Sequence, residues 1–288
     1  MGGVAHTIPF FIRNEADLAL ADICLKSLAD SSQDSDVVVY NQGKLSNEEL
    51  NKYFKNYALR FHIIGEGKNI GIAQGRMACF EYIWNYLTDI KYISEIHVDM
   101  FFPQGWVEAL VNFLEKNSVE PLICPGILTS RGELHPEDKE TKIISEIPFG
   151  NSAKMHSLLK GLTTDKLIEG FVHPVMHRSE VLKKVGGYDT RFIRGQQGYE
   201  DDSLLLGYRY YIGLKNNWVP QCYVGVRVYH ATLTQRITLT NIQQEFDKNL
   251  QGLFYQYGIK GLMELTNIYK DNQHFNKIVD HLLKQINH

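Results

Sequence analysis

The sequence predicts an α/β protein with a mostly parallel sheet that helices cover on both faces. Short apolar runs alternate with amphipathic segments through the first half of the chain. Runs such as Asp36–Tyr40 (DVVVY) are continuous in apolar residues, which is typical of strands buried on both faces. The 288 residues, 44% of them hydrophobic, suit one large α/β domain with additions or two small domains.

Hydrophobic periodicity predicts five strands in the first half, with helices between them. Each strand ends at a polar or glycine-rich segment, and each helix has apolar residues at helical spacing. The predicted strands are Thr7–Ile12, Asp36–Tyr40, Leu59–Ile64, Ile93–Val98 and Pro121–Cys124. The predicted helices are Leu18–Leu28, one that starts at Ser46, Ile72–Leu87, and one from Pro103 to Leu114.

The second half has a weaker pattern. Residues 129–157 are expected to form a long loop or hairpin. Beyond them we predict strands at Gly170–His177, Trp218–Val219 and Cys222–Tyr229, and helices at Ser179–Val185, capped by Ser179, and Glu200–Tyr211. Residues 241–288 are predicted to be amphipathic helices. These helices have four possible interpretations: a pair packed on the domain, an acceptor platform, a homo-oligomer contact or a peripheral membrane contact.

Charge and cysteine usage exclude several classes of function. The net charge of −3, from 33 acidic and 30 basic side chains, argues against a nucleic-acid binder held by bulk electrostatics. The cysteines lie far apart and form no CxxC pair, which predicts reduced thiols rather than a zinc site or disulfides. Because we find neither a signal segment nor a run of about 18 apolar residues, we expect a cytoplasmic protein. The cysteines are Cys24, Cys79, Cys124 and Cys222.

Polar and glycine residues follow the predicted strands at the edge where parallel sheets bind ligands. These residues are Arg13, Asn14, Asn41, the segment Gly65–Gly71 and Asp99. The cationic side chains of Arg13, Lys68 and Arg76 suit the neutralisation of a diphosphate. The glycine segment permits close backbone approach, but it is neither a Walker loop nor a GxGxxG fingerprint.

Three consecutive acids, Glu200-Asp201-Asp202, form the strongest local signal. One interpretation is a helix start, where negative charge is favourable. The other is a general base, because adjacent carboxylates raise one another's pKa and a base at a loop end can accept a proton from a hydroxyl.

A divalent-ion site is predicted from Asp99, His230 and His97. Asp99 and His230 each follow an apolar strand, and His97 points to the same face as Asp99 by strand alternation. Carboxylate and imidazole together suit an ion such as Mn²⁺. The alternatives are a helix cap for Asp99 and structural histidines.

In the order of these segments, the chain resembles a family 2 glycosyltransferase with the GT-A fold over most of residues 5–235. Four segments carry the resemblance. They are Ile8-Pro9 through Asn14-Glu15, the Lys68–Arg76 segment, Val98-Asp99 followed by Pro103-Gln104-Gly105-Trp106, and Gly186-Gly187-Tyr188-Asp189 followed by Tyr199-Glu200-Asp201. Asn41 stands where the family usually has the acid that meets the nucleotide base, and His97 stands for the first acid of the DXD motif.

The resemblance implies an inverting transfer from a nucleotide-sugar donor, UDP-linked, to a hydroxyl on a saccharide, a lipid-linked or another acceptor. It implies Asp201 as the base, Glu200 as a substrate contact, and Mn²⁺ or Mg²⁺ on Asp99 and His230 with His97 as an extra ligand. The implied halves are residues 1–128 for the donor and 129–240 for the acceptor. The implied donor residues are Pro9, Arg13, Asn14, Asn41, Lys68, Asn69, Gly71, Arg76 and Val98.

Two other functions stay open at this point. A nucleotidyltransferase has a similar sheet, but it needs a glycine-rich signature with Arg and Lys after the first strand, which Arg13-Asn14-Glu15 fits badly. A non-catalytic protein that binds a sugar or nucleotide is consistent with His97 in place of an acid. The loop Asp189–Tyr199 is a candidate lid over the donor.

Overall fold

A computed structural model describes residues 3–32, 35–137, 140–232, 241–270 and 273–286. Their strands are β1 (Gly3–Phe10), β2 (Asp36–Asn41), β3 (Arg60–Ile64), β4 (Ile90–Glu95), β5 (Met100–Phe101), β6 (Leu122–Thr129), β7 (Leu134–His135), β8 (Leu167–Glu169), β9 (Val175–Arg178) and β10 (Gln221–His230). Their helices are α1 (Glu15–Ser31), α2 (Asn47–Phe54), α3 (Ile72–Tyr86), α4 (Trp106–Lys116), α5 (Ser152–Gly161), α6 (Ser179–Val185), α7 (Glu200–Ile212), α8 (Ile242–Tyr269) and α9 (Gln273–Ile286).

The strands form one sheet in the order β3-β2-β1-β4-β9-β6-β10-β5, with β7 beside β6 and β8 beside β10. The pairs β3–β2, β2–β1 and β1–β4 are parallel. In the second half β6 and β10 are also parallel, but β9 runs antiparallel between β4 and β6. The predicted α/β class is therefore confirmed, with parallel pairing concentrated in the first half.

Helices pack on both faces of this sheet because its strands are apolar on both sides. Along β2, Val38 belongs to one buried cluster, while Val37 and Val39 belong to the other. Helices α3, α6, α7 and α8 cover the first face, and α1, α2 and α4 cover the second. Alternate residues of a strand point to opposite faces, so the continuous DVVVY run fits a strand between two helical layers.

Several predicted boundaries are corrected by the structure. Residues 129–157 hold β7, which pairs antiparallel with β6 as the hairpin alternative predicts, and the start of α5, which was not predicted. The strand expected at Gly170–His177 covers only Val175–Arg178. Trp218–Val219 is no strand, and the buried Trp218 indole donates to Glu120. Ser179 is the first residue of α6 and forms no cap, because Arg178 occupies that position.

Three features of the described residues match the sequence in detail. Helix α2 begins with a reciprocal capping box between Ser46 and Glu49. The four cysteines are buried and free. Among the helices described, none is long and apolar enough to cross a membrane. The segment 233–240, which ends the predicted domain of residues 1–240, lies outside the described residues.

Candidate active site

A cavity of about 470 Å³ opens at the carboxyl ends of β1 and β4, between the two halves of the sheet. Ligands bind at this edge in α/β sheets. The predicted site residues that line the cavity are Pro9, Asn69, Arg76, His97, Val98, Asp99, Glu200, Asp201 and His230. Residues from positions 9 to 230 therefore meet at one place, as the order of motifs predicts.

The three predicted metal ligands lie together. His97, Asp99 and His230 each offer a ligand atom, and these atoms all lie within 4.8 Å of one another. His230 Nε2 is 3.4 Å from Asp99 Oδ1, and both side chains are largely buried. The segment before β5 carries Asp99 and the end of β10 carries His230, because β5 and β10 pair and place Met100 opposite His230. One carboxylate and imidazole nitrogens are donors that suit Mn²⁺.

Arg76 lies directly beneath the cavity and connects its two sides. Its buried guanidinium donates to His97 Nε2 at 2.5 Å and to His173 Nε2 at 2.6 Å. Because a guanidinium can only donate, each histidine accepts on Nε2 in this arrangement. The same guanidinium is 2.6 Å from Glu95 Oε2, a carboxylate without solvent exposure.

Glu95 is ionised because both of its carboxylate oxygens have hydrogen-bond or ion-pair partners. His177 Nε2 lies 2.7 Å from Oε1, and Tyr188 Oη donates to Oε2 at 2.7 Å. Burial raises the pKa of Glu95, but Arg76 and His177 outweigh that effect and lower it below its ordinary value. Buried charges are tolerated when they are paired and hydrogen-bonded in this way. Arg76 and Glu95 thus form a rigid base for the cavity.

Asp201 lies in the first turn of α7 with about a third of its side chain exposed toward the cavity. Oδ2 is 3.7 Å from His173 Nδ1, and Oδ1 is 3.9 Å from the guanidinium of Arg76. Burial and the neighbouring charge of Glu200 raise the pKa of Asp201 well above its ordinary value, although Arg76 acts in the opposite direction. A carboxylate with a raised pKa is better suited to accept a proton from a hydroxyl.

Five predicted donor residues do not line the cavity. Asn14 caps α1 by accepting from the Asp17 amide, and Arg13 pairs with Asp17 at 2.7 Å. Asn41 is buried and donates to Leu45 O and Asn47 Oδ1. Lys68 is exposed, and Gly71 precedes α3 with φ +91°. These residues build the loops around the site rather than its wall.

The structure adds residues that the sequence did not single out. They are Phe11, Gln42, Ile72, Ile96, Ile127, Arg131, Glu133, His135, Phe171, Val172, His173, Gln196, Gln197 and Thr232. Gln42 accepts from the Ile70 amide and joins the β2 end to the glycine segment. Burial and the charge of Arg76 lower the pKa of His173 well below its ordinary value. The sequence around His173 has the pattern of an ordinary apolar strand, so it did not single out this residue. Its neighbour Pro174, which cannot pair in a central strand, was the available signal.

Comparisons with known proteins identify the fold. A family model described as Glycosyl transferase family 2 matches residues 8–186. The structure of S. aureus TarS 1-349 in complex with UDP-GlcNAc superposes with a TM-score of 0.54 at 11% identity, and covers 98% of this chain and 71% of that chain. GalNAc-T7 with UDP, GalNAc and Mn²⁺ gives 0.55 at 12% identity, with 80% of this chain and 44% of that chain covered. No curated protein sequence matches.

Proposed function

The chain belongs to glycosyl transferase family 2, and we propose that it transfers a sugar, with inversion, from a UDP-linked donor to an acceptor hydroxyl. One observation carries this proposal. The Asp201 carboxylate, in the first turn of α7, lines the same cavity as the cluster of His97, Asp99 and His230 at the strand ends. A single displacement needs this arrangement, with a base beside the acceptor and positive charge beside the leaving diphosphate.

The acceptor half of the reaction is assigned to Asp201. Its carboxylate takes the proton of the acceptor hydroxyl while the oxygen attacks the anomeric carbon and the bond to the diphosphate breaks. His173 Nδ1 faces Oδ2 and orients the carboxylate, since its Nε2 is held by Arg76. Glu200 precedes the base on the same turn and contacts the substrate from the cavity wall.

The donor half is assigned to the cluster around Asp99. Asp99 and His230 would hold Mn²⁺ or Mg²⁺, with His97 as an extra ligand. The ion would stabilise the negative charge of the departing UDP. The oxygen and nitrogen donors fit a borderline ion, so Mn²⁺ is favoured over Mg²⁺, which prefers oxygen ligands.

The remaining donor residues have two roles in this proposal. Pro9, Asn69 and Val98 contact the nucleotide from the wall of the cavity. Asn41 and Asn14 shape the loops at the ends of β2 and β1, and Lys68 adds positive charge at the surface. The acceptor is a saccharide, a lipid-linked molecule or another hydroxyl compound that enters beside Phe171 and Glu133.

The experiment that tests this function is release of UDP from a panel of UDP-sugars with Mn²⁺, for the wild type and Asp201→Asn. We expect slow release that an acceptor accelerates in the wild type and loss of release in the variant, because the amide accepts no proton. Binding of UDP without turnover across a broad acceptor screen would instead favour a non-catalytic binding protein. Wild-type turnover in Asp201→Asn would show that Asp201 is not the base.

A further inference from the structure

The helices α8 and α9 lie beyond the family match of residues 8–186, yet α8 contacts the segment that leads to the candidate base. That segment is Gly195–Gly198, which we call the entry loop. It leads into α7 and presents Gln196 and Gln197 to the cavity. Its conformation therefore affects both the cavity wall and the start of the helix that carries Asp201.

One side chain of α8 binds the main chain at both ends of the entry loop. Asn249 is fully buried, and its Oδ1 accepts from the Gly195 amide at 2.5 Å. Its Nδ2 donates to the carbonyl oxygen of Gly198 at 2.7 Å and to that of Gly195 at 3.4 Å. Glu245 Oε2 adds a bond from the Gln196 amide at 2.8 Å. A buried amide that satisfies loop backbone groups is costly to remove.

The entry loop lies directly against two neighbours. A Cβ at Gly195 would lie 2.3 Å from the Glu245 carbonyl oxygen, and one at Gly198 would lie 2.9 Å from the Phe246 ring. On the other side, the Ile72 amide donates to Gln196 O at 3.0 Å. The loop is thus held between the first turn of α3 and the first turns of α8, which leaves little freedom for it to lift as a lid.

The start of α7 is bonded to the two C-terminal helices, α8 and α9. Tyr269 Oη donates to Asp202 Oδ1 at 2.7 Å, and Ser203 Oγ donates to Gln256 Oε1 at 3.1 Å. Tyr199 Oη lies 2.8 Å from His274 Nε2 of α9. The residues on either side of Glu200 and Asp201 are therefore fixed from the C-terminal helices, while Glu200 and Asp201 themselves line the cavity.

We propose that Asn249 is a positioning residue for the transfer reaction. Through the entry loop it fixes Gln196 and Gln197 at the donor cavity and sets the direction of Asp201, so that the C-terminal helices form part of the active site. This inference rests on the proposed transfer function. A displacement of about 1 Å at a reacting group costs roughly 10²-fold in rate, so loosening the loop reduces turnover more than it reduces nucleotide affinity.

Asn249→Asp and Asn249→Ala in the full chain test the proposal, with Gln251→Ala as the control. The aspartate keeps the shape and the acceptor for Gly195 but places a carboxylate against two carbonyl oxygens. Gln251 lies on the same helix, is exposed and bonds only Tyr255 among the contacts described. The readouts are hydrogen exchange at residues 195–198, calorimetric binding of UDP with Mn²⁺, and UDP release from a UDP-sugar.

We expect both Asn249 variants to exchange at least about tenfold faster at Gly195 and Gln196 and to lose about 10²-fold in kcat. Their Kd for UDP should stay within about threefold of the wild type, and Gln251→Ala should match the wild type throughout. Folded Asn249 variants with the exchange and kcat of the control would overturn the proposal. If neither variant folds, Glu245→Ala provides the test, because it removes the contact to the Gln196 amide. We expect faster exchange of the entry loop and a lower kcat in this variant, and wild-type values of both would overturn the proposal.

Faster exchange in the variants, with no UDP release even in the wild type, would overturn the transfer function. It would leave the role of Asn249 in holding the entry loop unchanged.

Discussion

Asp201 carries a stability cost that follows from its proposed role. Its pKa in the folded chain is raised because burial and the charge of Glu200 disfavour the carboxylate. The contribution of this one group to stability is therefore most favourable below the unfolded-state pKa of an aspartate, where the group is protonated in both states. That stability is lost as the pH rises through the raised folded-state pKa.

We accordingly expect Asp201→Asn to raise the thermal midpoint at pH 7.5 while it abolishes transfer. An increase of at least about 2 °C would be measurable, since about 1 kcal/mol moves the midpoint of a domain of this size by roughly 2–4 °C. The difference should narrow toward pH 4, where the wild-type carboxyl is also neutral. Thermal scans across that pH range check this, and a variant that is less stable at pH 7.5 would contradict it.

The buried ion pair between Arg76 and Glu95 gives a second prediction at the residue scale, on the free energy of unfolding. Arg76→Met leaves the Glu95 carboxylate buried beside Tyr188 and His177 without its cation, and breaking a buried ion pair from one side costs about 3–5 kcal/mol. The double variant Arg76→Met with Glu95→Gln removes both charges, so we expect it to lose less stability than Arg76→Met alone. Urea unfolding of the wild type, both single variants and the double variant checks this, and additive losses would show that the two side chains are not coupled.

Elements of the structure follow the sequence where periodicity and caps agree. Helix α2 begins at Asn47 because Ser46 and Glu49 form its capping box, and α7 begins at Glu200 with three acids in its first turn. Strand β9 was predicted too long because Gly170 and Phe171 extend an apolar run that pairs only from Val175. Its antiparallel direction depends on neighbours far along the chain.

The contact between the start of α3 and the entry loop gives a prediction about how these two elements pack. Gly71 has φ +91°, and a Cβ there would lie 2.8 Å from the Cα of Gln196. Gly71→Ala should therefore cost about 1–3 kcal/mol in strain and lower turnover by displacing the entry loop. Gly150→Ala is the matched control, because Gly150 has space for a methyl group. Equal stability of the two variants in thermal unfolding would contradict the prediction.

Across the whole molecule, the sequence predicted the cluster of metal ligands better than it predicted the contacts beneath the cavity. Asp99 and His230 were expected together because each follows a strand, and β5 pairs with β10 to bring them close. Arg76 was predicted to neutralise a diphosphate or to pack on its helix, and its guanidinium lies at the base of the cavity, bonded to His97 and His173. Neither histidine contact has a local sequence signal, since each depends on how distant elements pack.

The C-terminal helices show the same limit on a larger scale. Their amphipathic pattern predicted burial, and Leu253, Leu262 and Leu265 are buried. The pattern did not predict that Asn249 binds the entry loop, because that contact joins residues about 50 positions apart. A buried asparagine within an apolar helix face was the available clue, since buried polar groups need partners.

The account depends most on one cavity with separate donor and acceptor halves, and calorimetric titration of UDP in the presence and absence of Mn²⁺ tests it most directly. The wild type and Asp201→Asn should bind UDP with similar Kd and the same dependence on Mn²⁺, because the base acts on the acceptor. His230→Ala should lose at least about tenfold in affinity with Mn²⁺, since a ligand of the ion is removed. An unchanged Mn²⁺ dependence in His230→Ala would contradict the account.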